Sequence, residues 1–235
     1  MPQFSTVGNV DPFLHVTFKK GEKIYAERGA MVSMDTTLEL KGEVRGGMLG
    51  ALARRLTSGE SFFQQTMEAT NGDGDALFSP NLPGDVMVLE CGARQFRLND
   101  GAFLAADTTV DIKIKNQGIG QAVFGGSGGF FVMETSGTGS LAISGFGALF
   151  AMEVKQGSDM IVDNTHVIAW DASLNYNISA STVPRGFFSG LLNSMTSGEG
   201  LVNRFSGSGQ VIVASRNKVG FAGWVASLIG SRSGG

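Results

Sequence analysis

The chain contains the same residue pattern three times. The three copies read GAMVSMDTTL at 29–38, GAFLAADTTV at 101–110 and THVIAWDASL at 165–174. Equivalent residues are 72 and then 64 positions apart, which makes Asp35, Asp107 and Asp171 equivalent. A second marker, Gly-x-Gly before a short apolar run, follows each copy, at 72–74, 137–139 and 207–209. Two markers repeated in one order predict a single supersecondary unit used three times.

The repeats predict one domain over residues 1–235. A unit of this size, built of short strands, would leave strand edges and an apolar face uncovered if it folded alone. We expect internal repeats at about 12–92, 93–157 and 158–216, followed by an apolar C-terminal segment, 217–235, with a flexible end.

Alternating polarity predicts half-buried strands in every repeat. Apolar residues alternate with polar ones after each equivalent aspartate, at Leu38 and Leu40, at Val110, Ile112 and Ile114, and at Leu174, Tyr176 and Ile178. More continuous apolar runs at 85–89 and 148–152 predict strands covered on both faces. Many short strands separated by turns indicate an all-β sandwich or barrel. Three copies predict pseudo-threefold packing around a shared axis.

Charge and cysteine content exclude several classes of protein. The net charge of −3 is mild and the basic residues are scattered, which argues against a nucleic-acid surface. Cys91 is the only cysteine, so an intrachain disulfide or thiolate metal cage is excluded and a reducing compartment is favoured. The first ten residues lack the features of a signal peptide, and no apolar stretch is long enough to span a bilayer. We therefore expect a cytoplasmic protein.

The three equivalent aspartates allow two interpretations. One is a ring of carboxylates on the pseudo-axis, which would form a polar site for an ion or small ligand. The other is that Asp followed by Thr or Ser caps a turn through hydrogen bonds to the backbone. The second is favoured, because repetition preserves turn chemistry as readily as function.

Each repeat also carries an apolar, glycine-rich insertion between its alternating strand and its Gly-x-Gly marker. The insertions of the first and third repeats are predicted to be short helices. Their candidate interaction residues are Met48, Leu49, Leu52, Phe187, Phe188, Leu191 and Leu192. These residues either form an exposed end that docks on a membrane or partner, or fold back to plug the core. The C-terminal segment, which contains Trp224, is at best amphipathic and suits a bilayer interface or a contact in a homo-oligomer.

The sequence lacks the motifs that are typical of enzyme active sites. His15 and His166 are the only histidines and lack the paired spacing of a metal site. Neither a Gly-x-Ser-x-Gly nucleophile motif nor a dinucleotide-binding loop is present. Cys91 follows an apolar run and is expected to be a buried, inert thiol. We therefore predict no cofactor and no catalytic residue.

Residues 19–32, KKGEKIYAERGAMV, resemble the opening signature of the family named for altered inheritance of mitochondria, number twenty-four. The resemblance extends to 46–47 with 54–55, to 59–63, to the 72–74 step, to 157–163 and to 167–170. The third copy departs from the repeated pattern at Thr165 and His166, where the other copies have Gly-Ala. It implies a fold similar to that of the tryptophan RNA-binding attenuation protein, a shortened double-stranded β-helix. It also implies a link, in eukaryotic relatives, to mitochondrial inner-membrane organisation.

These observations predict a non-catalytic structural or scaffolding protein that associates with membranes or membrane complexes through its apolar insertions. One alternative is a small-ligand binding module that uses Asp35, Asp107 and Asp171. A metal-dependent β-helix enzyme is disfavoured by the histidine content. Further self-association into a homo-oligomer is expected from the apolar ends.

Overall fold

The computed structural model describes residues 1–43, 64–116, 131–180 and 201–230. After strand β1 (Gln3–Val7), the described strands fall into three successive units of six. The first unit contains β2 (Phe13–Phe18), β3 (Lys23–Glu27), β4 (Met31–Met34), β5 (Leu38–Glu43), β6 (Gln64–Ala69) and β7 (Gly74–Phe78). The second contains β8 (Gly84–Cys91), β9 (Phe96–Leu98), β10 (Phe103–Asp107), β11 (Val110–Asn116), β12 (Phe131–Gly137) and β13 (Gly139–Phe146).

The third unit, which a helix follows, has the same number of strands. The unit contains β14 (Leu149–Val154), β15 (Met160–Asp163), β16 (Val167–Asp171), β17 (Asn175–Ala180), β18 (Leu201–Ser206) and β19 (Gly209–Ala214). A single 3-10 turn, η1 (Asn164–His166), precedes β16, and helix α1 (Lys218–Gly230) follows the last strand. The predicted all-β class is confirmed.

Strand pairing follows the same order in the three units, and every pair of strands is antiparallel. The sixth strand of each unit lies between the first and the third, and the fifth lies between the second and the fourth. Neighbouring units are joined because β10 pairs with β3, and β16 pairs with β9. Each junction therefore links the third strand of one unit to the second strand of the unit before it.

A β-bulge interrupts the third strand of every unit at the same place. The register shifts between Met31 and Ser33 in β4, between Phe103 and Ala105 in β10, and between Val167 and Ala169 in β16. A bulge bends its strand and increases the local twist. Because each bulge immediately precedes an equivalent aspartate, it sets the direction in which the strand enters that turn.

The predicted alternation is confirmed in β11, where Val110 and Ile112 are buried, Asp111 between them is partly covered and Lys113 is exposed. The buried side chains form three clusters, one per unit in the main, and the middle cluster includes residues of the third unit such as Ala169 and Ile212. Apolar burial across these clusters supplies the main driving force for folding.

The prediction that residues 148–152 are covered on both faces is wrong. Phe150 in β14 is 66% exposed. The strand lies at the edge of its sheet, next to β19 only, so the outward face of its central residues is not covered by another element.

Strand β1 makes the first unit different from the others. It pairs along β2 and also contacts β8 and β13 of the second unit, whereas β8 contacts β14 of the third unit directly. The amino group of Met1 is 2.6 Å from the Glu22 carboxylate, which fixes the start of β1. The first and second units therefore share contacts with an additional strand, β1, that has no equivalent between the second and third units.

Candidate functional site

The three equivalent aspartates make the same hydrogen bond. The Asp35 carboxylate accepts from the backbone N–H of Asp75 at 2.9 Å, Asp107 accepts from that of Ser140 at 2.6 Å, and Asp171 accepts from that of Gln210 at 2.7 Å. Each donor is the residue that follows the second glycine of a Gly-x-Gly marker. The aspartate at the end of one strand thus holds the first residues of the sixth strand in the same unit.

The second glycine of each marker leaves no room for a side chain. A Cβ added at Gly139 would lie 2.7 Å from the Asp107 carboxylate, and one added at Gly209 would lie 2.7 Å from that of Asp171. At Gly74 the obstacle is the Thr37 hydroxyl at 2.5 Å. The two sequence markers are therefore the two halves of one structural contact. It is a side-chain to backbone hydrogen bond, but its donor lies 33 to 40 residues further along the chain and not in the turn that follows the aspartate. The ring of carboxylates stays a prediction.

The surroundings of the three carboxylates differ. Asp35 is exposed, whereas Asp107 and Asp171 are buried. The Arg94 guanidinium binds both carboxylate oxygens of Asp171 at 2.9 Å and so links the second unit to the third. Burial raises the pKa of Asp107, although the Ser140 N–H acts in the opposite direction. One repeated contact is thus held in three electrostatic settings.

The predicted interaction residues of the insertions lie outside the described residues. These are Met48, Leu49, Leu52, Phe187, Phe188, Leu191 and Leu192. The segments that contain them, 44–63 and 181–200, follow the equivalent strands β5 and β17 and precede the equivalent strands β6 and β18. Both strand pairs are antiparallel hairpins. The two segments therefore connect the strands of equivalent hairpins.

Helix α1 is the most apolar exposed element of the described residues. Its exposed side chains are Val219 (71%), Phe221 (43%), Trp224 (58%), Leu228 (55%) and Ile229 (70%). Beyond Lys218, the only polar side chain of the helix is that of Ser227, whose hydroxyl donates to the Trp224 carbonyl at 2.7 Å. Helix α1 has no polar face. Such helices are normally buried in protein or lipid.

The N-terminal end of α1 is fixed to the body of the protein. The side-chain oxygen of Asn217 accepts from the Gly220 N–H at 2.6 Å and caps the helix. The Asn217 amide nitrogen is 3.1 Å from Nε2 of His166, and Nδ1 of His166 is 2.7 Å from the Ala214 carbonyl. Geometry assigns the proton to Nδ1, so that Nε2 accepts from Asn217.

This anchor explains why the third sequence copy departs from the others. His166 occupies the position of Ala30 and Ala102, which are small and buried. The Thr-His dipeptide was therefore a signal for the helix contact, although its meaning could not be read from the sequence. Ring packing adds to the anchor, since Phe221 meets Phe146 edge-on with ring centroids 5.1 Å apart.

The described residues contain no cluster of three or more histidine, cysteine, aspartate or glutamate side chains arranged to hold a metal ion. Cys91 is buried as predicted, and burial raises the pKa of its thiol. No helix within the described part of the chain is long and apolar enough to cross a membrane.

Residues 4–216 match the family model described as mitochondrial biogenesis AIM24. The chain belongs to this family. A relative of the AIM24 chain, an uncharacterized protein of Streptococcus pyogenes serotype M6, is 39% identical over 218 residues, which cover 90% of this chain and 84% of the relative. The crystal structure of another Streptococcus pyogenes protein is similar with a TM-score of 0.79 and 35% identity, over 97% of this AIM24 chain and all of that one.

Proposed function

We propose that this AIM24-family protein is a non-catalytic scaffold in the cytoplasm that attaches peripherally to a membrane through apolar elements. The observation that carries the proposal is α1, which is apolar around its whole circumference and exposed along nearly its whole length. A large exposed apolar surface on a folded protein marks an interaction site. The insertion residues Met48, Leu49, Leu52, Phe187, Phe188, Leu191 and Leu192 are proposed to add to this surface.

The dimensions of α1 favour attachment at the bilayer surface. Its 13 residues give a length of about 20 Å, against roughly 30 Å for the hydrocarbon core of a bilayer. Trp224 has a ring of the kind enriched at the membrane interface. Arg216 and Lys218 precede the apolar part of the helix and add positive charge near its start, which favours anionic headgroups. The helix would thus enter the interface while Asn217 holds its first turn to the body.

The attachment is expected to be reversible. The five exposed apolar side chains of α1 are between 43% and 71% exposed. Burial of this remaining surface in lipid contributes roughly 1 kcal/mol for each side chain and about 5 kcal/mol for all five. That is close to the marginal anchoring given by a single myristoyl chain. A second attachment point, either in the insertions or in another copy of the chain, would make binding tighter through avidity.

We also propose that a pseudo-threefold rotation relates the three units, in a fold like that of the tryptophan RNA-binding attenuation protein. The repeated strand pairing, the repeated bulge and the repeated aspartate contact support this proposal. It concerns architecture alone, because a shared fold does not transfer RNA or tryptophan binding.

Liposome flotation tests the proposed function. Wild-type protein should float with vesicles of phosphatidylcholine and phosphatidylglycerol, and less so with phosphatidylcholine alone. A Trp224→Ser, Leu228→Ser variant should lose most of this binding, and a Leu49→Ser, Leu52→Ser, Phe187→Ser, Phe188→Ser variant should lose part of it.

The matched control is Val10→Ser, because Val10 is 83% exposed but lies far from α1 in sequence. Far-UV circular dichroism should show that all variants keep the β fold. If wild-type protein stays at the bottom of the gradient with both kinds of vesicle, or if Val10→Ser loses as much binding as the α1 variant, the proposal is wrong.

A further inference from the structure

One pair of strand edges lacks the partner that its equivalents have. At the first junction Ala106 of β10 lies opposite Tyr25 of β3, and at the second Trp170 of β16 lies opposite Arg97 of β9. The repeat spacing makes β4 the equivalent of β10 and β16, and β15 the equivalent of β3 and β9. Among the described residues, β4 pairs with β7 only and β15 with β18 only.

The unpaired edge of β4 leaves side chains exposed that its equivalents bury. Val32 is 51% and Met34 is 37% exposed. The corresponding residues of the second unit, Leu104 and Ala106, are completely buried, and Trp170 of the third unit is 1% exposed. Because local sequence and bulge geometry are equivalent in the three strands, the missing junction accounts for the difference.

The edge of β15 has the same character. Ile161 is 66% exposed, although it is an apolar β-branched residue in the centre of a short strand. Exposed strand edges in monomeric proteins are commonly protected by lysine or proline, by a bulge or by a short length. Neither lysine nor proline occurs in Met31–Met34 or in Met160–Asp163. The bulge of β4 does not by itself prevent pairing, because β10 carries the equivalent bulge and pairs with β3. Both edges therefore remain competent to add a strand.

The two junctions differ in how the first strands of the units meet, although each junction is closed by a strand pair. At the first junction β1 lies along β2 and also contacts β8. At the second junction β8 contacts β14 directly. The three units are therefore not arranged identically, and among the described residues β4 and β15 do not pair with each other.

We propose that β4 of one molecule pairs antiparallel with β15 of a second copy of the chain. Transfer of the register of the other two junctions places Met34 opposite Ile161 and Ser33 opposite Val162. Two molecules have four such edges, one β4 and one β15 in each. All four are paired when β4 of each molecule pairs with β15 of the other, so the assembly closes as a dimer. This inference rests on strand pairing alone and is independent of membrane attachment.

A charge-swap series at the predicted pair tests the inference without lipid. Sedimentation velocity of wild-type protein should show a dimer that dissociates on dilution. Met34→Lys with Ile161→Lys places like charges opposite each other and should weaken dimerisation by at least about tenfold. Met34→Lys with Ile161→Glu places opposite charges there and should restore it.

Both positions are exposed, so these variants should fold, and Val10→Lys serves as the matched control at an exposed site outside both edges. Wild-type protein that stays monomeric at every concentration overturns the inference. So does a dimer that is insensitive to the charge swap but is lost in the Trp224→Ser, Leu228→Ser variant, because that result assigns the contact to α1.

Disulfide crosslinking distinguishes pairing between chains from pairing within one chain. Met34→Cys and Ile161→Cys proteins, mixed and oxidised, should give a covalent dimer, while each alone should not. Cys91 is buried and should not compete. In the doubly substituted chain, a disulfide that forms only within monomers would show closure in one molecule and would overturn the proposed dimer.

Discussion

The smallest repeated contact in this molecule joins an equivalent aspartate to the backbone N–H of the residue that follows a Gly-x-Gly marker. Its two halves are far apart in the chain, since Asp35, Asp107 and Asp171 lie 40, 33 and 39 residues before the residues whose N–H groups they bind. Both halves were visible in the sequence as separate markers. The sequence did not show that the two halves touch, because it favoured a local turn cap for the aspartates. The contact instead depends on the third and sixth strands being neighbours in the sheet.

Gly209→Ala should destabilise the protein by roughly 1–3 kcal/mol, the cost of disrupting the hydrogen bonding of a buried polar group. The added Cβ would lie 2.7 Å from the Asp171 carboxylate and 3.0 Å from its Cβ, so the carboxylate must move away from Gln210 or Arg94. Gly92→Ala is the matched control, because its Cβ would meet only Thr138 at 3.8 Å. Urea denaturation should separate the two variants, and equal losses would contradict the proposed role of Gly209.

Asp107 should make stability fall as pH rises. Burial raises its pKa in the folded protein, so the folded state holds the proton more tightly than the unfolded state. The associated stability is fully present below the unfolded pKa, about 3.9, and is lost as pH rises through the folded pKa. Asp107→Asn keeps an oxygen that accepts from Ser140 but does not titrate. The stability of the wild type relative to this variant should therefore decrease as pH rises above about 4.

Asp73→Asn provides the control for this pH effect, because the pKa of Asp73 is shifted in the opposite direction to that of Asp107. Hydrogen bonding to Lys19 lowers the pKa of Asp73, which is exposed in the turn between β6 and β7. Relative to Asp73→Asn, wild-type stability should be lost as pH falls through the lowered pKa. Urea titrations at several pH values measure both slopes. Parallel profiles for wild type and Asp107→Asn would show that Asp107 does not have the raised pKa.

Among the elements, α1 depends on a contact that no pattern within its own residues could reveal. The apolar segment was recognisable from composition, but its helical form and its attachment through His166 were not. The alternating strands were predicted correctly because each has one face on a core cluster, which imposes a period of two. The prediction that residues 148–152 are covered on both faces was wrong, since Phe150 lies in an edge strand, which can expose an apolar residue that a central strand would bury.

Asn217→Ala should loosen α1 without unfolding the body. The substitution removes the acceptor for the Gly220 N–H and the contact with His166, and loss of an N-cap costs about 1 kcal/mol. Helical signal in far-UV circular dichroism should decrease, and Trp224 should become more mobile by fluorescence anisotropy. His166→Ala leaves the cap in place and should have a smaller effect. Unchanged anisotropy in Asn217→Ala would show that ring packing of Phe221 on Phe146 suffices to hold the helix.

At the scale of the whole molecule, the triplication predicted a repeated unit but not how many junctions the chain would form. Because its sequence is equivalent, β4 is expected to be able to pair with the second strand of another unit, as β10 and β16 do. Whether it does so depends on the relative placement of the units, which the repeated sequence does not encode. The unpaired edges leave Val32, Met34 and Ile161 exposed, although all three are apolar.

Hydrogen exchange should reveal the open edges directly. At low protein concentration, amides of β4 and β15 should exchange faster than those of their equivalents β10, β16 and β9, because each has a partner strand on one side only. Raising the concentration should protect β4 and β15 together if they pair between copies. Strand β14 is also at the edge of a sheet but has no role in the predicted pairing, so its exchange should not change. Protection that appears in β14 or α1 while β4 and β15 remain unprotected would place the contact between copies elsewhere, because backbone pairing cannot form without shielding the amides that donate to it.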